Sequence, residues 1–213
     1  MVTLSPSSLN LYLECPRCFW LYVNKRVKRP EKPVATITTG LDRIIKEYFN
    51  IYRPKGILPP VIEGKVPGKL IQNLPKKGWL EYTDSKLEAK LGGYLDECLD
   101  LGNRYFAALD HKTRGLRPES THSAHQFQMD AYTLLLEENG FLTQRKAYLV
   151  YYIPKTFATL NKIEFELVVS EIKTDPDRAR KVFSEAVELL KKTVPEPDKK
   201  CEFCKWVSTA SIK

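Results

Sequence analysis

Two cysteine pairs with the same two-residue gap, Cys15-Pro16-Arg17-Cys18 and Cys201-Glu202-Phe203-Cys204, stand near opposite ends of a 213-residue chain. In a reducing compartment such thiols stay free. A two-residue gap lets both sulfurs of one turn face a single ion, so two pairs supply the four ligands of a Zn²⁺ or Fe–S site. Any fold that satisfies them must bring the first helical segment and the tail together. The bland alternative makes Cys15 and Cys18 small apolar fillers of a helix and the tail pair incidental. Cys98 reads as core.

The chain is 43% hydrophobic, which is enough to bury a full core in one domain spanning 1–213. Its longest apolar runs, Leu134 to Leu136 and Ala147 to Ile153, fall far short of the ~18 residues of a membrane span. Thr3, Ser5, Pro6 and Ser7 open the chain where an export signal would need a basic cap and an unbroken apolar stretch, so a cytoplasmic location is expected. Thirty-four Lys and Arg against twenty-six Asp and Glu leave a formal charge of +8. That excess suits a polyanion such as nucleic acid, because phosphate contacts release counterions.

Along the chain, Leu9 to Val23 reads as two short helical segments joined at the Cys15-Pro16 step. A basic run, Lys25 to Lys32, closes them. Gly40 to Tyr52 has the apolar spacing of an amphipathic helix. Prolines and glycines then mark a loop-rich insertion over 53–78, with room for one short helix near Leu70 to Leu74. Trp79–Tyr82, Lys86–Leu91, Gly93–Leu101 and Arg104–Lys112 form a meander of strands with turns at Gly92-Gly93 and Gly102-Asn103. A helix from Ser123 stops at Asn139-Gly140, and strands follow at Lys146–Ile153 and Ile163–Val169. A last helix begins at Asp175-Pro176 and runs to about Lys192, leading into a cysteine tail over 195–213.

The candidate chemistry lies in the meander. If the strands around Gly102-Asn103 pair as a hairpin, Asp96 falls nearly opposite Asp110, and the period of two puts Asp110 and Lys112 on one face. Two carboxylates that close repel unless a divalent cation lies between them, and Mg²⁺ is typically held by such oxygens with waters and a phosphate. A lysine beside that ion can orient water and steady charge developing on phosphorus, which points to phosphodiester hydrolysis. The pattern acid-x-Lys is weak alone, since it occurs six times, at Glu63, Asp84, Glu88, Asp110, Glu171 and Asp198. Only the Asp110 copy follows an apolar strand and has an aspartate one hairpin upstream.

Gly93-x-x-Asp96, Asp110-x-Lys112-Thr113 and Gln128-Met129-Asp130-Ala131-Tyr132 come in the order, and at about the spacing, of the PD-(D/E)XK nuclease superfamily. The closest resemblance is to its RecB-like branch, which includes CRISPR-adaptation exonucleases. Ser5 to Leu9 with Cys15 to Leu21 resembles that branch's first helix, and the terminal cysteines resemble the end of its iron–sulfur clasp. The resemblance implies an α/β, restriction-endonuclease-like mixed sheet flanked by helices, cutting DNA with Mg²⁺ or Mn²⁺. It implies Asp96, Asp110 and the carbonyl of His111 as metal ligands, and Lys112 as the water-handling residue. Gln128 and Tyr132, four apart on one helical face, match an element that holds the strand being cut. Cys15, Cys18, Cys201 and Cys204 would ligate a 4Fe–4S cluster or, by ligand type, Zn²⁺. A helicase or a CRISPR-adaptation protein is the implied partner, since the chain has no phosphate-cradling loop for ATP.

Two departures stand out. The family's Gly-x-x-x-His helix supplies a histidine to the metal, whereas Ile44 occupies the matching position after Gly40; Glu47 or His125 are the candidate substitutes. Relatives with a cluster contribute one cysteine from the N-terminal part and three from the tail, whereas this chain offers two and two. The resulting expectation is a metal-dependent DNA exonuclease acting on single strands or ends, in repair, recombination or defence. Its rivals are a catalytically inactive, metal-clasped DNA-binding module of the same fold and a small zinc protein whose basic surface binds RNA or a protein.

Overall fold

Both ends of the first helical pair are set by local chemistry. Ser5 caps helix α1 (Pro6–Glu14) reciprocally with Ser8: the Ser8 N–H donates to Ser5 Oγ at 3.2 Å and the Ser5 N–H to Ser8 Oγ at 2.8 Å. Cys15, extended at φ −159°, ends α1 and caps α2 (Pro16–Lys25), with Pro16 as its first residue. The computed structural model describes residues 1–30, 36–73, 78–159 and 162–210. The remaining described helices are α3 (Thr36–Tyr52), α4 (Ser123–Glu138), α5 (Pro176–Leu190) and α6 (Glu202–Ala210), with a 3₁₀ turn at Arg53–Lys55 after α3.

Nine strands, β1 (Val2–Leu4), β2 (Lys69–Leu70), β3 (Trp79–Asp84), β4 (Ala89–Tyr94), β5 (Glu97–Gly102), β6 (Tyr105–Thr113), β7 (Leu142–Thr143), β8 (Lys146–Thr159) and β9 (Lys162–Lys173), form two sheets among the described residues. The smaller has the order β1-β4-β3, and the larger β2-β5-β6-β8-β9 with β7 paired to β6. Strand β6 runs antiparallel to β5 and parallel to β8. The whole is a curled mixed sheet flanked by helices, the architecture expected.

The period of two along β6 sorts its side chains between two cores. Ala107 and Leu109 face a cluster with Phe49 of α3, Leu99, Tyr148 and Val150, which the 53–73 segment closes with Ile62, Val66 and Leu70. Ala108 faces the opposite cluster with Phe127, Met129, Leu134 and Leu135 of α4 and Phe183 of α5, which also takes in Leu4, Leu80 and Leu91 of the smaller sheet. The central strand is thus covered on both faces.

Several elements differ from expectation. Strand β1 is only three residues long, too short to show a period, and is held by parallel pairing to β4 and burial of Leu4. The expected strand Lys86–Leu91 starts only at Ala89, because Asp84 Oδ1 accepts the N–H groups of Lys86 and Leu87 at 2.9 and 3.0 Å and holds them in a turn. The expected strand Gly93–Leu101 breaks at Leu95-Asp96, where the chain crosses from the smaller sheet to the larger. Lys69–Leu70 is a strand paired to β5 rather than part of a short helix, and Leu74 lies outside the described residues. Helix α3 starts at Thr36, one turn before Gly40, and the tail carries α6.

One buried ion pair locks the end of α3 to the larger sheet. Glu97 on β5 is 1% exposed, and Arg53 grips both its oxygens, with Nε at 2.9 Å from Oε2 and Nη2 on Oε1. Burial pushes this carboxyl above its usual range, and the Arg53 guanidinium opposes the rise. Glu97→Ala leaves a half-buried guanidinium without its partner and should lower the unfolding free energy by about 3 kcal/mol in urea titrations. A loss under about 0.5 kcal/mol, the range of ordinary surface substitutions, would show that the pair does not hold α3 in place.

Candidate active site and cysteine clasp

The seam between the sheets is where the sequence-predicted residues meet. In β5–β6 the last paired residues are Glu97 and Leu109, and continuing that register puts Asp96 opposite Asp110. Because the chain bends at Asp96, β5 offers no backbone carbonyl to the next N–H of β6. The Asp96 carboxylate takes it instead, with Oδ2 accepting from the His111 N–H at 3.2 Å. Asp110 is 2% exposed, and its Oδ2 is ion-paired to Lys112 Nζ but lacks a hydrogen bond of good geometry.

Helix α4 completes this face. Lys112 Nζ donates to Gln128 Oε1 at 2.9 Å, and Gln128 Nε2 donates to the Tyr132 hydroxyl at 2.9 Å. Asp110, Lys112, Gln128 and Tyr132 therefore form one polar chain in a largely apolar wall. Gly93 makes room for it: a Cβ there would lie 3.1 Å from the Tyr132 ring and 3.3 Å from Leu135. Burial pushes the Tyr132 hydroxyl well above its usual range, with the Asp110 charge adding to the rise, so it remains a neutral donor and acceptor.

The His111 side chain goes to the other face, as the period of two requires. Its ring lies 4.4 Å from that of Phe49, and Nδ1 is 3.2 Å from the Tyr152 hydroxyl. Burial pushes this histidine down to about 4, so it is a neutral ring near pH 7. Cys98 is buried filler, with burial pushing its thiol up to about 12.

Helix α3 reaches the site with residues that sequence reasoning missed. Ile44 is exposed, and Glu47 pairs with Arg43 on the surface at 2.9 Å. One helical turn apart, Asp42 and Lys46 point at the seam instead. The Lys46 ammonium bridges Asp42 Oδ2 at 3.0 Å and Asp96 Oδ1 at 3.1 Å. A cation thus lies between two carboxylates where a metal ligand was sought on this helix. The i, i+4 spacing of an acid and a lysine was readable, but it equally describes a solvated helical face. His125, in the first turn of α4, stacks toward Tyr151, and burial pushes it down to about 4.

The two cysteine pairs converge. Cys15 Sγ lies 3.7 Å from Cys204 Sγ, and Cys18 Sγ lies 3.8 Å from Cys201 and 3.9 Å from Cys204. All four sulfurs lie within 4.8 Å of one another and all four residues are buried. The donor set, four thiols, suits a metal ion or a cluster.

Comparison with known proteins gives the family. A family model for the PD-(D/E)XK nuclease superfamily matches residues 64–209. The chain belongs to that superfamily. Its members are generally metal-dependent nucleases, so membership brings with it a divalent metal and a nucleic-acid substrate. No curated protein matches this PD-(D/E)XK chain. Eight solved chains do. One, described as the crystal structure of SSO0001, covers 97% of this chain and 84% of its own at 16% identity and a TM-score of 0.50, a likeness of fold. No described helix is long and apolar enough to cross a membrane.

Burial pushes the Asp110 carboxyl up to about 6, with the Asp96 charge adding to the rise and Lys112 opposing it. In metal-free protein, carbon-13 NMR should find this carboxyl titrating near pH 6. Asp96→Asn should lower the midpoint by removing a like charge, and Lys112→Met should raise it. Since the folded value lies above the unfolded one, about 4, this group supports the metal-free fold below pH 4 and ceases to do so by about 6. An Asp110 midpoint near 4 that neither substitution moves would show that the three groups do not share one site.

Proposed function

We propose that the chain is a DNA exonuclease of the RecB-like branch, hydrolysing phosphodiester bonds on single strands or at DNA ends. The observation that carries the reading is the buried Asp110, its paired Lys112 and Asp96 meeting at one seam, with the Gln128–Tyr132 pair alongside. A buried carboxylate is costly unless cations compensate it; Lys112 already pairs with Asp110 Oδ2, and a divalent metal shared with Asp96 would offset the second carboxylate.

Asp96, Asp110 and the His111 carbonyl would hold the Mg²⁺ or Mn²⁺, which supplies charge stabilisation to the phosphate and a more acidic water. Lys112, oriented by Gln128, would hold the attacking water and stabilise charge on the phosphoryl oxygens. Gln128 and Tyr132 would position the strand, with the neutral Tyr132 hydroxyl donating to a phosphate. Arg114, in the loop that follows Lys112, would add a cation for the backbone to follow, whereas Arg117 in the same loop pairs with Glu166 at 3.5 Å. The branch assignment and the preference for ends rest on the sequence motifs.

One observation favours a second reading. The Lys46 ammonium lies between Asp42 and Asp96, so it competes with a divalent metal for the Asp96 carboxylate. A chain that binds DNA through this fold without cutting would keep that arrangement.

Labelled linear and circular DNA, single- and double-stranded, incubated with Mg²⁺ or Mn²⁺, separates the readings. The expected result is degradation of linear but not circular single strands, reduced on the order of 10²–10³-fold in Asp110→Asn and Lys112→Ala. Cleavage that persists in both variants overturns the site. DNA binding without cleavage under either metal replaces the enzyme with the binding module. Lys46→Met should tighten Mn²⁺ binding, read by electron paramagnetic resonance, and an unchanged affinity would remove Lys46 from the site.

A further inference from the structure

The separation of the four clasp sulfurs discriminates between a single ion and a cluster. Four thiolates on one tetrahedral ion, each with a bond of about 2.3 Å, stand about 3.8 Å apart along every edge. In a four-iron cubane each thiolate binds its own iron, so every edge is longer by an iron–iron separation and comes to roughly 6 Å. Three of the separations, 3.7, 3.8 and 3.9 Å, match the first arrangement. The upper bound of 4.8 Å on all of them leaves no room for the second.

The backbone makes this geometry twice. Cys15 and Cys201 each immediately precede a helix, and Cys18 and Cys204 are the third residues of those helices. The Phe19 N–H donates to the Cys15 carbonyl at 3.1 Å, and the Lys205 N–H to the Cys201 carbonyl at 3.0 Å. Both pairs are therefore the same helix-start turn, with both sulfurs on one side. Contacts away from the sulfurs bring the turns together. Arg17 Nη1 donates to the Pro195 carbonyl at 2.7 Å, Trp20 Nε1 to that of Lys192 at 2.9 Å, and Asn24 Nδ2 to that of Leu190 at 3.0 Å. Helix α2 thus grips the chain that leads into the tail.

A donor also stands beside the sulfurs. Four thiolates around a divalent ion carry a net −2, and a hydrogen-bond donor next to them lowers the cost of that buried charge. Arg29 Nη2 lies 3.4 Å from Cys201 Sγ, its guanidinium is 4.6 Å above the Phe203 ring, and Nη1 is held by Glu14 Oε1 at 2.6 Å.

We infer that the clasp takes one tetrahedral Zn²⁺, with Arg29 as its outer hydrogen-bond partner, and not an iron–sulfur cluster. Binding displaces the thiol protons to solvent and leaves no position open for chemistry, so the ion is structural. Zinc is favoured over a single Fe²⁺ because thiolate sites bind divalent zinc more tightly. The inference does not rest on the nuclease reading.

The test is metal analysis and visible absorbance of the full chain, purified without oxygen from cells grown with added iron and, separately, with added zinc. One zinc per chain and no visible absorbance under both regimes is the expected result. Replacement by Co²⁺ should give the intense visible bands of a tetrahedral cobalt thiolate. Arg29→Gln, which leaves all four ligands in place, should weaken zinc about tenfold against a chelating dye. Cys18→Ser should lose zinc altogether. Four irons with acid-labile sulfide and a brown chromophore would overturn the inference. So would one iron per chain, a metal-free protein, or an Arg29→Gln protein with unchanged zinc affinity.

Discussion

A carboxylate buried in the middle of a sheet is the constraint around which this molecule is organised. Asp110 lies on the central strand β6, which both cores cover, and only 2% of it is exposed. Most of its polar neighbours answer the cost of that burial. Lys112, two residues on and so on the same face, provides the countercharge. Gln128 holds Lys112, Tyr132 holds Gln128, and Gly93 leaves space for the Tyr132 ring. The break between β4 and β5 at Asp96 acts the other way: it frees a carboxylate to take a strand's hydrogen bond and stand opposite Asp110, where its like charge adds to the cost of ionising Asp110.

Two long-range ties keep that seam assembled. The Glu97–Arg53 pair anchors the end of α3, and hence the face carrying Asp42 and Lys46, to β5 one residue from Asp96. The clasp joins α2 to the tail, closing a chain whose ends are otherwise remote in sequence, and helix α1 beside it packs into the core under α4. Neither tie includes Asp110 or Lys112. The Glu97–Arg53 pair reduces the freedom of the helix that meets Asp96, which is one way a marginally stable fold keeps charged groups in register.

Much of the site was legible because its signals are local. The glycine and aspartate of Gly93-x-x-Asp96, the hairpin at Gly102-Asn103 and the period of two from Asp110 to Lys112 depend on neighbours within about twenty residues, and the four-residue step from Gln128 to Tyr132 on a single turn. What α3 contributes was not legible. Asp42, Lys46 and Glu47 are all charged residues on an amphipathic helix, and only the helix's rotation about its axis tells which ones meet Asp96. The same holds for β1 and β2, strands of three and two residues whose pairing comes from the sheet and not from any period.

The sequence by itself determined the alternation of strands and helices, the two matched cysteine pairs and the acidic and lysine residues spaced along one hairpin. These follow from backbone periods and turn chemistry, which act over a few residues. Only the tertiary structure decided that Lys46 and not residue 44 meets the carboxylates, and that the four sulfurs stand at single-ion spacing. Those facts depend on how elements distant in the chain are rotated and seated against one another, and packing, not local preference, sets that placement.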